Sequence, residues 1–286
     1  MMVDRSGATM ATPAVQASSA TGAGRAAIPE RTLRKDRWWL QPTISGSVLV
    51  AFIAYSTWAA FDNANYFARP YISPFYSPCL ADICGQARSG ADVNVHVPHL
   101  GIFGPWWSIS PAILILIFPL GFRLTCYYYR RAYYRAFWGS PPGCAVGERH
   151  KTYSGETRFP LILQNLHRYF FYFGLIFNAI LTYDAVVAFR DTHDRWGHMG
   201  VGTLVLVANA ILLWLYSVSC HSCRHIIGGR LKHFSRHPVR YRAWELVSKL
   251  NKRHMQLAWA SLIFVALTDL YVRLVASATI HDARFF

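Results

Sequence analysis

The sequence predicts an all-α integral membrane bundle of five transmembrane helices. Three observations carry that prediction: five long segments almost free of charge, a lopsided placement of Lys and Arg, and small or polar stripes along four of the segments. The chain has 286 residues, 53% hydrophobic and 15% charged, so apolar length decides the class. A helix needs about 20 mostly apolar residues to cross a hydrocarbon core of about 30 Å. Backbone N–H and C=O groups find no water in lipid, so each span must be helical; barrel strands would be shorter and would alternate.

Residues 1–37 form the expected cytoplasmic tail. Its first 30 residues are rich in Ala, Ser, Thr and Gly with almost no large apolar side chain, a composition expected to stay disordered and unlike a signal sequence. Residues 38–286 form the membrane domain, with predicted spans at 43–61, 106–128, 161–189, 199–223 and 254–277. The first span has no clear small-residue cleavage site, so it is expected to be retained. An outer loop, 62–105, carries Pro70, Pro74, Pro78 and Pro98 and is expected to fold as a compact cap, with Cys79 and Cys84 as a disulfide candidate on the oxidising side. Two inner loops, 129–160 and 224–253, interleave Arg with Tyr, Phe and Trp, as in the run from Tyr127 to Arg135. That pattern suits an interfacial belt against lipid, or a docking surface for a soluble partner. No internal repeat is evident.

Of the 29 Lys and Arg, 23 fall in the tail and in the connections from Arg123 to Arg168 and from Arg224 to Arg253, leaving six on the other side. By the positive-inside rule the N-terminus is cytoplasmic and the C-terminus outside. The net charge of +15 therefore reads as topology and contact with anionic lipid, and nucleic-acid binding is not expected.

No glycine-rich phosphate loop, G-x-S-x-G or H-E-x-x-H occurs, so no self-contained hydrolase or nucleotide enzyme is expected, and no residue is assigned as catalytic. Cysteine and histidine remain. Counted inward from the outer ends of their spans, Cys126, His167, Cys220 and His254 all lie about 20 to 23 residues deep, in one layer near the cytoplasmic face. At about 100° per residue, Cys126 shares a stripe with Ser108, Ala112, Pro119 and Arg123. His167 aligns with Gly174, Asn178, Thr182 and Ala185, Cys220 with Gly202, Asn209, Tyr216 and Ser217, and His254 with Ala258, Ser261, Thr268 and Asp269. Small and polar residues mark helix-to-helix faces in membranes, so four helices offer four ligands inward.

Two Cys and two His at one depth is the donor set of a Rieske-type [2Fe–2S] centre. A haem held by His167 and His254 competes for the same place, and Zn²⁺ is a weaker third, so the residues alone leave the metal open. His221 and Cys223 are second-rank ligands; Cys144 and His225 are third. The first span holds no candidate ligand and becomes the expected peripheral helix.

Three stretches carry a resemblance: Phe159 to Tyr172, Ser219 to His225 and Leu267 to Arg273. They resemble the single-chain membrane anchor of actinobacterial succinate dehydrogenases, over about Trp38 to Ile280. The resemblance implies a multi-pass subunit of the bacterial plasma membrane that works only within a complex. It would dock a flavoprotein subunit and an iron–sulfur subunit on the cytoplasmic side and pass succinate electrons to menaquinone, with a higher oligomer of the complex allowed. Other anchors of this enzyme class hold haem b with paired His. This sequence departs from the two-haem pattern, because His193, His198 and His281 lie at or beyond the span ends. The Cys/His layer makes the Rieske-type centre the better fit, and the resemblance points the same way. Arg123, Tyr127 and Arg168 lie at a depth that suits donors to a quinone carbonyl. The alternatives are a haem b quinone-reactive anchor of complex II or another respiratory dehydrogenase, and a transporter, although no inverted repeat or mid-membrane helix break is seen.

Overall fold

In a computed structural model of the chain the described residues are 36–86, 97, 99–140, 142–144, 146–147 and 155–285. All of the expected tail except residues 36 and 37 lies outside them.

The described chain is mostly helical, as its apolar runs require. Helix α1 covers Leu40–Asp62, α2 Ala112–Leu124, α3 Tyr127–Tyr133, α4 His167–Val187, α5 Val201–Val218, α6 His221–Gly228, α7 Pro238–Asn251 and α8 His254–Ala276. Residues 134–138 prolong α3 as a π-helical turn, and a 3-10 turn at Leu161–Leu166 leads into α4. Four stretches, 40–62, 161–187, 201–218 and 254–276, are long and apolar enough to cross a membrane; α2 with 127–138 makes a fifth if that bent pair is one span.

The second predicted span needs correction. A single helix over 106–128 is expected from apolar length, but α2 has 13 residues, about 20 Å of helix, and the chain then bends by 81°. At its start, the Phe103 carbonyl accepts from the Asp82 N–H, the Phe103 N–H donates to the Leu80 carbonyl, and Trp107 bonds back to Gly104, so the chain turns helical only after Pro111. At its end the Thr125 hydroxyl bonds the Gly121 carbonyl at 2.7 Å, and Cys126 swings into extended backbone before α3 begins. The fourth predicted span, 199–223, ends early in the same way: α5 stops at Val218, and Cys220 is extended before α6.

Helix α2 packs on α4, α4 on α5, and α5 on α8. Helix α1 lies outside this row against α2, α3 and α8, and buries only Gly46, Leu49, Ala59 and Ala60, so it is the peripheral helix. The predicted inward stripes are largely buried, including Gly174, Asn178, Asn209, Ser261 and Thr268. Ser108 is the exception: it precedes α2 and is exposed. Ile53, Ile117, Ile176, Ile211 and Ile263 are about half exposed around the bundle, an apolar exterior suited to lipid.

The described residues among 63–86 and 97–111 close one end of the bundle. A two-residue hairpin pairs Phe67–Ala68 with Tyr71–Ile72, Tyr66 stacks on Tyr76 at 4.0 Å, and Cys79 is bonded to Cys84. The cap is tied down by carboxylates of the helices, of which Asp269 is fully buried. Arg273 pairs with Asp269 at 2.7 Å and Asp62 at 2.8 Å, and its remaining N–H groups reach the carbonyls of Ala59 and Ala64. Asp269 also accepts Tyr55 at 2.5 Å and the Ser73 hydroxyl, while Ser77 donates to Asp184 at 2.5 Å. Each charge is thus met by partners, the condition under which a buried pair holds rather than splits a structure.

Candidate metal centre

The end opposite the cap holds the four predicted ligands, and the chain delivers them by one local device used twice. An apolar helix ends in an aromatic residue, two further residues, a hydroxyl residue and a cysteine: Phe122, Thr125 and Cys126 after α2, Tyr216, Ser219 and Cys220 after α5. Each cysteine has extended backbone and caps the start of the next helix, α3 or α6. The Ser222 N–H points at Cys220 Sγ from 3.4 Å, so this sulfur sits at a helix N-terminus, where negative charge is favoured. The next long helix then opens on a histidine, His167 at the start of α4 and His254 at the start of α8.

The two copies interlock. Thr125 Oγ1 lies 2.9 Å from His167 Nδ1, and His167 Nε2 lies 3.2 Å from Cys220 Sγ. Reciprocally, Ser219 Oγ lies 2.7 Å from His254 Nδ1, and His254 Nε2 lies 3.6 Å from Cys126 Sγ. Each imidazole is therefore held at Nδ1 by a hydroxyl of its own half while Nε2 faces the sulfur of the other half. Hydroxyl contacts of this kind fix ring orientation and leave Nε2 for a metal. Cys126, Cys220 and His254 are 2%, 1% and 3% exposed, so these three donors are shielded from water, while His167 is partly buried.

Phe122 stacks on His167 at 5.1 Å and Tyr216 on His254 at 5.2 Å, while Phe122 and Tyr216 are themselves 5.1 Å apart. Each imidazole is thus packed on one face by an aromatic ring. Among the described residues no group of three or more His, Cys, Asp or Glu closes tightly enough to hold a single metal ion. The donors stand instead as two Cys–His pairs. Soft sulfur paired with imidazole suits a sulfide-bridged iron cluster more than a hard cation.

The other predicted residues have different neighbours. Cys223 is half-buried at the edge of the same cluster; His221, His225 and Cys144 are exposed. Arg123 turns to α8, its Nη1 reaching Tyr129 Oη at 2.6 Å and Ser261 Oγ at 3.2 Å. Tyr127 is exposed beneath Arg130, and Arg168 contacts His225, so the three proposed quinone donors have separate partners. The repeat itself is the feature that sequence reading missed, along with the roles of Thr125, Ser219, Phe122 and Tyr216. Only the cysteine and the later histidine are identical between the copies, so the signal was the spacing of residue types.

No curated protein matches the chain. Among solved structures it is similar to a chain of the Mycobacterium smegmatis Sdh1 complex in the apo form, with 51% sequence identity and a TM-score of 0.80 over 93% of this chain and 98% of that one. Residues 40–278 match the family described as actinobacterial succinate dehydrogenase subunit SdhC. The chain accordingly belongs to the actinobacterial succinate dehydrogenase subunit SdhC family, as the membrane anchor of that oxidoreductase.

Proposed function

We propose that this anchor carries electrons from a partner iron–sulfur subunit to menaquinone, with Cys126, Cys220, His167 and His254 holding a Rieske-type [2Fe–2S] centre. The reciprocal contacts of two Cys–His pairs, each His fixed at Nδ1, carry this reading. Bound there, such a cluster supplies one-electron transfer, accepting from one side and delivering to the other. The chain's own residues hold the donors dry and oriented: Thr125 and Ser219 fix the imidazoles, and Phe122 and Tyr216 pack over them.

The partner surface is the end opposite the cap, where α3, α6 and α7 expose Arg240, Arg242 and neighbouring aromatic residues. A flavoprotein and an iron–sulfur subunit docked there would deliver electrons close to Cys220. The same end is the cytoplasmic one by charge, and the Cys79–Cys84 bond at the other end suits the oxidising side. For the quinone, Tyr127 and Arg168 are exposed donors near the centre, with Arg123 behind them as fixed positive charge.

Replacing both His167 and His254 with Ala should abolish quinone reduction while leaving succinate oxidation by a soluble dye acceptor. Undiminished quinone reduction would remove the reading. In the alternative, a haem b anchor, the reduced complex would show sharp haem bands in place of a cluster signal.

A further inference from the structure

The two halves of the centre share one more element. Three residues before each histidine stands a carboxamide, Gln164 before His167 and Asn251 before His254, and both are half-buried. Gln164 lies in the 3-10 turn that leads into α4, and Asn251 is the last residue of α7, followed by Lys252, Arg253 and then α8. Asn251 Nδ2 donates to the Ser219 carbonyl at 2.8 Å, at the C-terminal end of α5. Gln164 Nε2 donates to Tyr133 Oη at 2.8 Å, and that hydroxyl donates to the Leu124 carbonyl at 3.0 Å, at the C-terminal end of α2. A helix end leaves its last carbonyls without intrahelical partners. Each carboxamide thus serves the helix that stops just before a ligand cysteine, directly in one half and through a tyrosine in the other.

Each half therefore closes into a ring of contacts. Asn251 holds the backbone of Ser219, whose hydroxyl lies 2.7 Å from His254 Nδ1, and the chain runs on from Asn251 to His254 itself. In the first half the Tyr133 hydroxyl holds Leu124, the neighbour of Thr125, whose own hydroxyl lies 2.9 Å from His167 Nδ1. A single hydroxyl contact leaves an imidazole free to pivot about it. A second tie between the same two segments removes that freedom. Gln164 Oε1 is buried with no hydrogen-bond partner, a cost that an apolar side chain there would avoid, so what the residue contributes is its donor.

We propose that Gln164, acting through Tyr133, and Asn251 are positioning residues of the centre, each locking the start of a histidine-bearing helix to the break that carries a cysteine. This deepens the Rieske-type reading above and rests on it. Neither carboxamide bonds to a sulfur or an imidazole, so each acts on the aim of a ring through the backbone. The asymmetry separates their effects: the Tyr133 hydroxyl and Gln164 govern His167, and Asn251 governs His254. Partners that orient a ligand are worth about tenfold to a hundredfold in metal affinity, and these, one bond further out, belong at the lower end.

The test is the ¹⁴N coupling pattern of the reduced cluster, read by EPR on the whole complex. Tyr133→Phe removes a single oxygen; one of the two imidazole couplings should change, and the chelator concentration that removes half of the cluster signal should fall about tenfold. Gln164→Leu should change the same coupling, and Asn251→Leu the other. Asn178→Leu is the control, because it removes an interhelical amide donor of the same kind with no tie to either imidazole, and both couplings should keep the parent's values. Parent couplings in both Tyr133→Phe and Asn251→Leu, with the parent's cluster signal, would overturn the inference and leave the metal reading intact; so would an equal change in Asn178→Leu. If the leucine variants do not assemble, Tyr133→Phe decides alone. A parent complex with no cluster signal would overturn the metal reading, and the inference with it.

Discussion

His167 Nε2 lies 3.2 Å from Cys220 Sγ, so the residue opening one membrane helix meets the residue at the break between α5 and α6. The matching contact of His254 with Cys126 is 3.6 Å. Because each histidine is steadied by its own half and faces the sulfur of the other, the site exists only when the two halves are packed together. That coupling makes the hydroxyls as informative as the ligands.

Thr125→Val and Ser219→Ala each remove one Nδ1 partner and leave all four donors in place. Loss of such support costs about tenfold to a hundredfold in metal affinity. Iron content and cluster signal per complex should fall for either replacement, while Ser219→Thr should retain both. Full occupancy in both hydroxyl-free variants would show that the hydroxyls do not orient the rings.

The cap network predicts a large effect on assembly. Asp269→Ala leaves the Arg273 charge without its 2.7 Å partner in a site where Arg273 is only 4% exposed. Breaking a buried pair on one side costs about 3 to 5 kcal/mol. Yield of assembled complex and its thermal midpoint in detergent should both drop; a shift within error would mean the network adds nothing.

Asn178 gives the contrasting case. Its amide donates to Ser217 Oγ at 2.9 Å and to the Leu213 carbonyl at 3.2 Å, neutral bonds between α4 and α5. Interhelical bonds of this kind average about 0.6 kcal/mol. Asn178→Leu should therefore cost far less than Asp269→Ala in the same thermal assay.

Close packing of α2 on α4 depends on Gly121. A Cβ there would lie 2.3 Å from the Phe170 ring. Gly121→Leu should destabilise the pair by about 1 to 3 kcal/mol. Adding Phe170→Ala should recover part of the loss, measured as the double mutant against both singles; no recovery would place the clash elsewhere.

Apolar length made the helices legible, and counting depth along them brought Cys126, His167, Cys220 and His254 into one layer. The bend after Leu124 was not legible, because no Pro or Gly occupies 125 or 126 and Thr125 turns the chain through a back-bond that only the fold reveals. The repeat was hidden because Phe stands opposite Tyr and Thr opposite Ser. Its Cys-to-His spacing also changes, from 41 residues in the first copy to 34 in the second. Arg273 and Asp269 were visible as charges near a span end, but their partners Asp62, Tyr55 and Ser73 come from distant segments.

The most direct measurement is the EPR spectrum of the reduced complex with its ¹⁴N couplings resolved. A Rieske-type signal coupled to two imidazole nitrogens, losing one in His167→Ala and the other in His254→Ala, is the predicted result. Sharp reduced-haem optical bands with no such signal, or a cluster signal without imidazole coupling, would contradict it.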